Sequence, residues 1–297
     1  MKPNILAIIL NWNKPQDTLR CLEMLGEDIP RLVVDNGSAP ESREILRKAI
    51  RGVPMIELPQ NLGYAGGNNV GIRWALENHF DWILLINEDA ILTGSDLLHL
   101  ISIAETDPLA GFAGPLILHA DSDHLIQSAG GQLNRFWHPS HRGQNQVNQG
   151  QYVHPEEVDW LSGCALLARS QMIRSIGYLD ESFFLYEEEL DWCIRARQAG
   201  WKCLFVPEIQ ARHAGVRPDY EPPPYITYYM VRNHFRLLAK HRAGFLPWAY
   251  ALIQSLRTLI VWSVRPKWRS KRLHRDALWL AMKDFLQGKS GPLSQNI

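Results

Sequence analysis

The chain has 297 residues, enough for one large domain or for a domain with a substantial appendage. Its 46% hydrophobic and 21% charged residues are those of a packed globular protein and exclude an intrinsically disordered one. The net charge of zero conceals an asymmetry, because residues 227–297 hold 13 Lys/Arg against only Asp276 and Asp284, a tail of +11 behind a body of −11. Such a tail suggests an anionic partner, either a nucleic acid or a phospholipid surface. Cys21, Cys164, Cys193 and Cys203 form no CxxC pair, and are expected to be reduced and buried in a cytosolic protein. Residues 5–10 are apolar but too short for a signal peptide, and Asn11-Trp-Asn13 ends the run.

Strand and helix signals alternate from the start. Residues 5–10 are a β-branched apolar run with an abrupt polar stop, which predicts a buried strand. Leu19, Leu22 and Leu25 recur at helical spacing over residues 17–25. A second strand is predicted over 31–35, broken by Asn36-Gly37-Ser38, then a helix over 41–50 and a short strand over 55–58. Residues 63–71 read as a glycine-rich loop running into a helix over 72–78, and residues 82–86 as a buried strand ending in Asn87-Glu88-Asp89. This alternation predicts an α/β fold: a Rossmann-like, mostly parallel sheet with helices on both faces. In open sheets of this kind ligands bind beyond the carboxyl ends of the strands. Asn11 with Asn13, Asp35 with Asn36, and Asn87 with Asp89 all sit at strand ends and are expected to face one crevice. Residues 119–154, rich in Gln, Asn, His and Gly, read as a long loop or small excursion, with order returning over 158–168. Glu221-Pro-Pro-Pro224 punctuates the chain and divides it into 1–220 and a basic, helical 221–297.

Several groups could carry chemistry. A carboxylate at the end of a buried strand, as at Asp89, can hold a divalent cation that also binds substrate phosphates; it could equally cap the following turn. Glu187, Glu188, Glu189 and Asp191 open a helix predicted to reach about residue 199, where acids also complement the helix dipole. On that helix Glu188, Asp191 and Arg195 share one face while Glu189 looks elsewhere. Four carboxylates within five residues repel one another, which can raise a pKa into the range of a general base. Asn61-Leu-Gly-Tyr-Ala-Gly-Gly-Asn-Asn69, including Gly66, Gly67 and Asn68, could bring backbone close to a phosphate or ribose. It is neither GxGxxG nor a P-loop.

Five segments acquire meaning from their order: Ile8-Ile-Leu-Asn-Trp-Asn13 with Cys21-Leu22, Val33-Val-Asp-Asn-Gly-Ser38, Asn61 to Asn68, Leu84-Leu-Ile-Asn-Glu-Asp89, and Gly163 through Gly200. The last contains Gly177-Tyr-Leu-Asp-Glu-Ser-Phe-Phe-Leu-Tyr-Glu-Glu-Glu-Leu-Asp-Trp-Cys193. In these the sequence resembles the family 2 glycosyltransferases, a GT-A-fold group, and in particular their bacterial rhamnosyltransferase-like branch, over about residues 4–215. The resemblance implies that Asp35 contacts the nucleotide base. It places Asp89 as the last acid of the metal-binding DxD-type motif, here opening with Asn87, and Glu88 where many relatives have Pro or Asp. The family's Glu-Asp pair, whose second acid is the catalytic base, falls on Glu188-Glu189, with Asp191 as the fallback. His213 falls where many relatives place a metal- or diphosphate-contacting His. A divalent metal, Mg²⁺ or Mn²⁺, is implied, as is inverting transfer from a nucleotide diphosphate sugar, with deoxythymidine-diphosphate rhamnose the donor suggested by the branch, to a glycan or lipid-linked acceptor.

Residues 245–264 are largely apolar but interrupted by Gln254, Ser255, Arg257 and Thr258. Arg257 near the middle would cost about 2.5–3.5 kcal/mol in a spanning helix, so an in-plane amphipathic helix is expected. Arg265, Lys267, Arg269, Lys271, Arg272 and Arg275 follow, with Trp262 and Trp268 interleaved, the pattern of a surface anchor on anionic lipid. The alternative is a tail helix packed on the body. No recognition motif supports nucleic acid. The expectation is thus a cytoplasmic protein, peripheral on the inner face of the cell membrane. A nucleotidyltransferase or a Rossmann dehydrogenase would need a glycine-rich loop after the first strand, which Asn11-Trp-Asn-Lys-Pro15 is not. A non-catalytic sugar-nucleotide sensor with this fold would bind a donor without turning it over.

Overall fold

The computed structural model describes residues 3–122, 124–214 and 221–293. The order of elements is β1 (Ile5–Asn11), α1 (Pro15–Leu25), β2 (Arg31–Asp35), α2 (Pro40–Ala49), β3 (Met55–Glu57), α3 (Gly63–Glu77), β4 (Trp82–Asn87), β5 (Ala90–Ile91), α4 (Gly94–Ala104) and β6 (Ala110–His119). Then come β7 (Ile126–Ser128), β8 (Gly131–Leu133), β9 (Pro139–His141), β10 (Glu156–Val158), β11 (Ala165–Arg169), α5 (Ser170–Ile176), α6 (Glu188–Gln198) and β12 (Lys202–His213). The C-terminal part holds α7 (Pro224–Lys240), α8 (Phe245–Val264), a 3₁₀ segment (Pro266–Lys271) and α9 (Arg272–Leu286). The division expected at 220/221 abuts residues 215–220, which lie outside the described residues.

The main sheet runs β10-β12-β6-β11-β4-β1-β2-β3, with β5 beside β12 and β7 beside β6. Along this path β11 is antiparallel to both its neighbours and β10 antiparallel to β12, while the other six strands point one way. β1 is buried at every position. Ile5, Ala7 and Ile9 enter a core with Cys21, Leu22 and Leu25 of α1, Leu46 of α2 and Leu97, Leu100 and Ile101 of α4. Leu6, Ile8 and Leu10 enter the opposite core with Ile72 of α3, Met172 of α5 and Trp192 of α6. A strand covered on both faces reads as an unbroken apolar run, which is why residues 5–10 show no alternation. All four cysteines are buried and unpaired.

Two expectations about local structure are corrected. Residues 63–71 are not a loop, because α3 starts at Gly63. A Cβ at Gly67 would stand 2.5 Å from Leu10 Cδ1, and one at Gly71 2.6 Å from Ile8 Cγ2. These glycines let a helix lie close against β1, and only Gly63 needs a left-handed backbone (φ 74°). The excursion over 119–154 is not structureless either. It contains β7 and the β8–β9 hairpin, whose three-residue strands are too short to give a periodic signal.

The C-terminal helices are built onto the body. Tyr228 and Tyr229 of α7 pack with Ala277 and Ala281 of α9, and the Tyr228 hydroxyl donates to Asp284 at 2.9 Å. α8 is attached through Trp248 against Phe235 and Phe285 and through Tyr250 stacked on Phe136, while much of its apolar surface is exposed. No helix among the described residues is long and apolar enough to cross a membrane.

The turn after β2 rests on Gly37, whose φ is 76° and whose Cβ would stand 2.3 Å from the Gln60 backbone carbon. Gly26 has the same φ with nothing nearby. Gly26→Ala is expected to cost only the left-handed penalty of about 1 kcal/mol. Gly37→Ala adds the overlap and is expected to cost about 2–4 kcal/mol. Urea midpoints at unchanged slope measure both, and equal losses would remove the packing argument.

Candidate active site

The strand order places β4 and β2 on opposite sides of β1, so the chain switches direction across the sheet beside β1. The crevice at such a switch point lies outside the carboxyl ends of the strands. Leu10 is level with Asn87, and Asn11 with Asp35, which brings the predicted strand-end residues together.

On the β2 side most of these groups bond to one another. The Asn11 amide donates to Asp35 Oδ2 at 2.8 Å and to Ser38 Oγ at 3.1 Å, while its oxygen accepts from the Thr18 hydroxyl at 2.9 Å. Asp35, fully buried, also accepts from the Ser38 backbone N–H and pairs with Arg43 Nε at 3.0 Å. Asn36 donates to Asn61 Oδ1 and to the Gly63 carbonyl, each at 3.0 Å, and accepts from the Leu62 N–H. Asn13, with a left-handed backbone, accepts from the Ala39 N–H at 2.8 Å. Asn68 donates to the Tyr64 carbonyl, and its side-chain oxygen is buried without a partner. Gly66 and Gly67 lie within α3. Asn11, Asn36 and Asn61 thus shape the wall of the crevice.

Asp89 forms the second corner. Strand β12 bulges between Val206 and Gln210 and ends with His213 level with Ala90 of β5. This sets His213 Nε2 3.1 Å from Asp89 Oδ1 and 3.3 Å from Asn87 Nδ2, with Nδ1 2.8 Å from Gln127 Oε1. Lys14 Nζ donates to Asp89 Oδ2 at 2.9 Å and lies 3.7 Å from Glu88. Burial alone would raise the Asp89 carboxyl, but His213 and Lys14 hold it well below the usual carboxylate range. Burial opposes charge on His213, yet Cys164 and Asp89 raise it to about 10. Glu88 is pushed up to about 7 by burial and the Asp89 charge. No cluster of three or more His, Cys, Asp or Glu suited to a metal occurs among the described residues. Asp89 and His213 supply two groups at this corner, the carboxylate being of the type a hard divalent cation takes alongside substrate phosphates.

The third corner is the start of α6. β11 runs antiparallel to β4, so its leading residues Gly163 and Cys164 reach the carboxyl end of β4, where the Asn87 N–H donates to the Cys164 carbonyl at 3.0 Å. The Tyr64 hydroxyl donates to the Gly163 carbonyl at 2.7 Å. The partly buried Glu189 carboxylate lies here too, and burial pushes it up to about 7, with Glu187 adding to the rise and backbone amides, that of Gly163 among them, opposing it. Glu188 is buried, and its burial and the Glu189 charge push it well above the ordinary range. Asp191 is in a different setting. It is fully buried and bonded at 2.9 Å to each of Arg195, Lys240 and His241. Burial opposes its charge, but His241, Arg195 and Lys240 hold it below the ordinary range. A carboxylate committed to three partners is a poor proton acceptor, which argues for Glu189 ahead of the fallback Asp191.

Tyr64 and Gly163 fall inside segments that carry the family resemblance, whereas Lys14 and Gln127 are not singled out by the sequence.

Two substitutions separate the acids. Asp191→Asn strands Arg195 and Lys240 and is expected to cost about 2–3 kcal/mol after allowance for their partial exposure. Glu189 holds its proton to higher pH in the native state, so the native state binds more protons between about 4.5 and 7 and stability falls as pH rises through that window. Glu189→Gln should thus melt above wild type at about pH 8 and level with it near pH 4, and an equal offset at both would contradict this.

With this geometry in place, comparison with known proteins is direct. The family model for glycosyl transferase family 2 matches residues 7–163. The chain is 26% identical to the dTDP-rhamnosyl transferase RfbF of Shigella flexneri over 98% of both chains. It is 29% identical to the N-acetylglucosaminyl-diphospho-decaprenol L-rhamnosyltransferase of Mycobacterium tuberculosis, over 61% of this chain and 65% of that one. Among solved structures, the mannosyltransferase PcManGT of Pyrobaculum calidifontis, in complex with GDP-Man and Mn²⁺, superposes with a TM-score of 0.59 at 13% identity, over 98% of this chain and 89% of that one. The fold is the GT-A fold, and the chain belongs to glycosyl transferase family 2 and is a rhamnosyltransferase-like glycosyltransferase.

Proposed function

We propose that this enzyme moves a sugar, with inversion, from a nucleotide diphosphate donor to a hydroxyl of a glycan or lipid-linked acceptor in cell-surface polysaccharide synthesis. Deoxythymidine-diphosphate rhamnose is the donor favoured by the relatives' names. The observation that carries the reading is the short link between two chemistries. Gly163 meets the raised Glu189 carboxylate, and the next residue, Cys164, is bonded to Asn87 beside Asp89 and His213. A base and a diphosphate site joined in this way suit displacement at an anomeric carbon.

In this reading residues 1–220 bind the donor and carry out the reaction. Asp35 contacts the nucleotide base from a wall set by Asn11, Asn36 and Asn61, and Asn13, Gly66, Gly67, Asn68 and Asn87 line the donor crevice. Asp89, with His213 once it has given up its proton, would hold a divalent cation, Mg²⁺ or Mn²⁺, which when bound would supply charge neutralisation for the departing diphosphate. Lys14 exchanges its hold on Asp89 for a diphosphate oxygen. Glu189 takes the proton of the acceptor hydroxyl as that oxygen attacks, and its value near 7 suits a base at neutral pH. Buried Glu188 keeps its proton and so leaves the charge to Glu189.

Residues 221–297 bring the enzyme to the cytoplasmic face of the membrane. Phe245 is 82% exposed, and Leu246, Ile253, Leu256, Ile260 and Val264 expose apolar surface along α8, ahead of the exposed Arg265, Lys267, Arg269 and Arg272. Apolar surface beside cations matches an anionic lipid interface.

With a panel of nucleotide sugars, Mg²⁺ or Mn²⁺ and membrane extract as acceptor source, one donor should be consumed. Asp89→Asn and Glu189→Gln should each lower that turnover by about 100- to 10,000-fold. Donor binding without turnover, in the presence of an extract shown to be competent, would leave a sugar-nucleotide sensor instead. The protein should also sediment with anionic phospholipid vesicles, less so as salt rises, and Ile253→Glu with Ile260→Glu should release it. Equal sedimentation of the two forms would remove α8 as the anchor.

A further inference from the structure

The residues just before the proposed base have an unusual backbone. Phe184 (φ 67°), Tyr186 (φ 67°) and Glu187 (φ 69°) are all left-handed, and none is glycine. Such a run persists only where its surroundings over-determine it. Glu188 and Glu189 follow at once as the first residues of α6, so the direction in which α6 sets out depends on this turn.

Helix α7 supplies what holds the turn. The Asn233 side-chain amide donates to the carbonyls of Phe183 at 2.9 Å, Leu185 at 2.8 Å and Tyr186 at 2.8 Å. Two amide hydrogens are shared among three acceptors, so no other side chain of this size could replace them. Arg232 adds a bond from Nη2 to the Phe183 carbonyl at 3.0 Å and is fixed by its own bonds to the Gly291 carbonyl and the Asn233 oxygen. Both residues are fully buried. His234 Nδ1 lies 3.3 Å from Glu187 Oε1. On the far side, the Phe184 carbonyl accepts from the Tyr64 N–H at 2.7 Å. The turn is thus held between α3 and α7, and three consecutive residues of α7 all bear on it.

We propose that Asn233, supported by Arg232 and His234, is the positioning residue for the general base: it fixes the left-handed turn that sets Glu189 beside Gly163. This rests on the reading of Glu189 as the base. Without the clamp the turn relaxes toward right-handed backbone and the first turn of α6 swings out. Glu189 then leaves its buried setting, while the nucleotide wall between β1 and β2 is untouched.

The test uses the full chain, with steady-state kinetics on its donor and calorimetry with deoxythymidine diphosphate. Asn233→Ala is expected to lower kcat by about 100-fold, the cost of misplacing a catalytic group by about 1 Å. The affinity for deoxythymidine diphosphate should stay within about twofold, and the acidic limb of the kcat profile should move below about 7, toward an ordinary carboxylate. A folded Asn233→Ala with wild-type kcat overturns the proposal, as does a lower kcat with an unmoved limb or a matching loss of nucleotide affinity. If Asn233→Ala yields no folded protein, Asn233→Ser, which keeps one donor, should lose about tenfold in kcat with the same displacement of the limb, and an unmoved limb overturns the proposal. Glu189→Gln is run alongside. Its full activity would sink the base assignment itself, whereas an inactive Glu189→Gln with a wild-type-like Asn233→Ala sinks only the positioning role.

Discussion

Strand β1 is covered on both faces along its whole length, and the placement of the crevice follows from that burial. Two cores meet across it, one from α1, α2 and α4 and the other from α3, α5 and α6. A one-residue slip of β1 would exchange its two sets of side chains between cores of different shape. The register with β4 and β2 is fixed accordingly, and Asn11 can end the apolar run only level with Asp35. The small residues of α3 serve the same constraint, since Gly67 and Gly71 bring the helix down onto Leu10 and Ile8.

Charge in the crevice is divided between two neighbouring regions. Around Asp89 the fixed partners are cationic, Lys14 and His213, so negative charge is welcome there. Around Glu189 burial, with the Glu187 charge adding to it, favours the protonated carboxyl up to about pH 7. In the proposed reaction the first region would meet anionic oxygens and the second would accept the proton. Asp191, three residues after the start of the same helix, is instead committed to pairing with Arg195, Lys240 and His241.

Much of this was legible in the residues. The alternating βα signals, the polar stops at Asn11, Asp35 and Asn87, and the shared face of Glu188, Asp191 and Arg195 depend on short-range periodicity, which sequence displays directly. What escaped depends on contacts between distant segments. The glycines at 66, 67 and 71 suggest a loop to a reader of propensities, but the helix there gains more from lying on β1 than it loses to glycine entropy. The bonds that Asn11 and Asn36 make within the crevice wall could not be read from sequence, because their partners, Asp35, Ser38, Asn61 and Gly63, are 24 to 27 residues away. Asn233 gave no signal, since its acceptors are backbone carbonyls and any residue could have supplied them.

The reach of α7 into the turn before α6 also bears on how such enzymes diversify. A C-terminal extension that met only the acceptor or the membrane could be traded between relatives at the end of β12 with little harm. Here the first helix of the extension belongs to the reactive half through Arg232 and Asn233, and Lys240 ties its far end to Asp191 and Asp180. Recombination at the proline-rich junction would separate the left-handed turn before α6 from the helix that holds it. Nor does the Ala243–Gly244 link free the rest of the tail, because α9 packs back on α7 and the Gly291 carbonyl holds Arg232, so the exposed face of α8 alone can change without reaching the clamp.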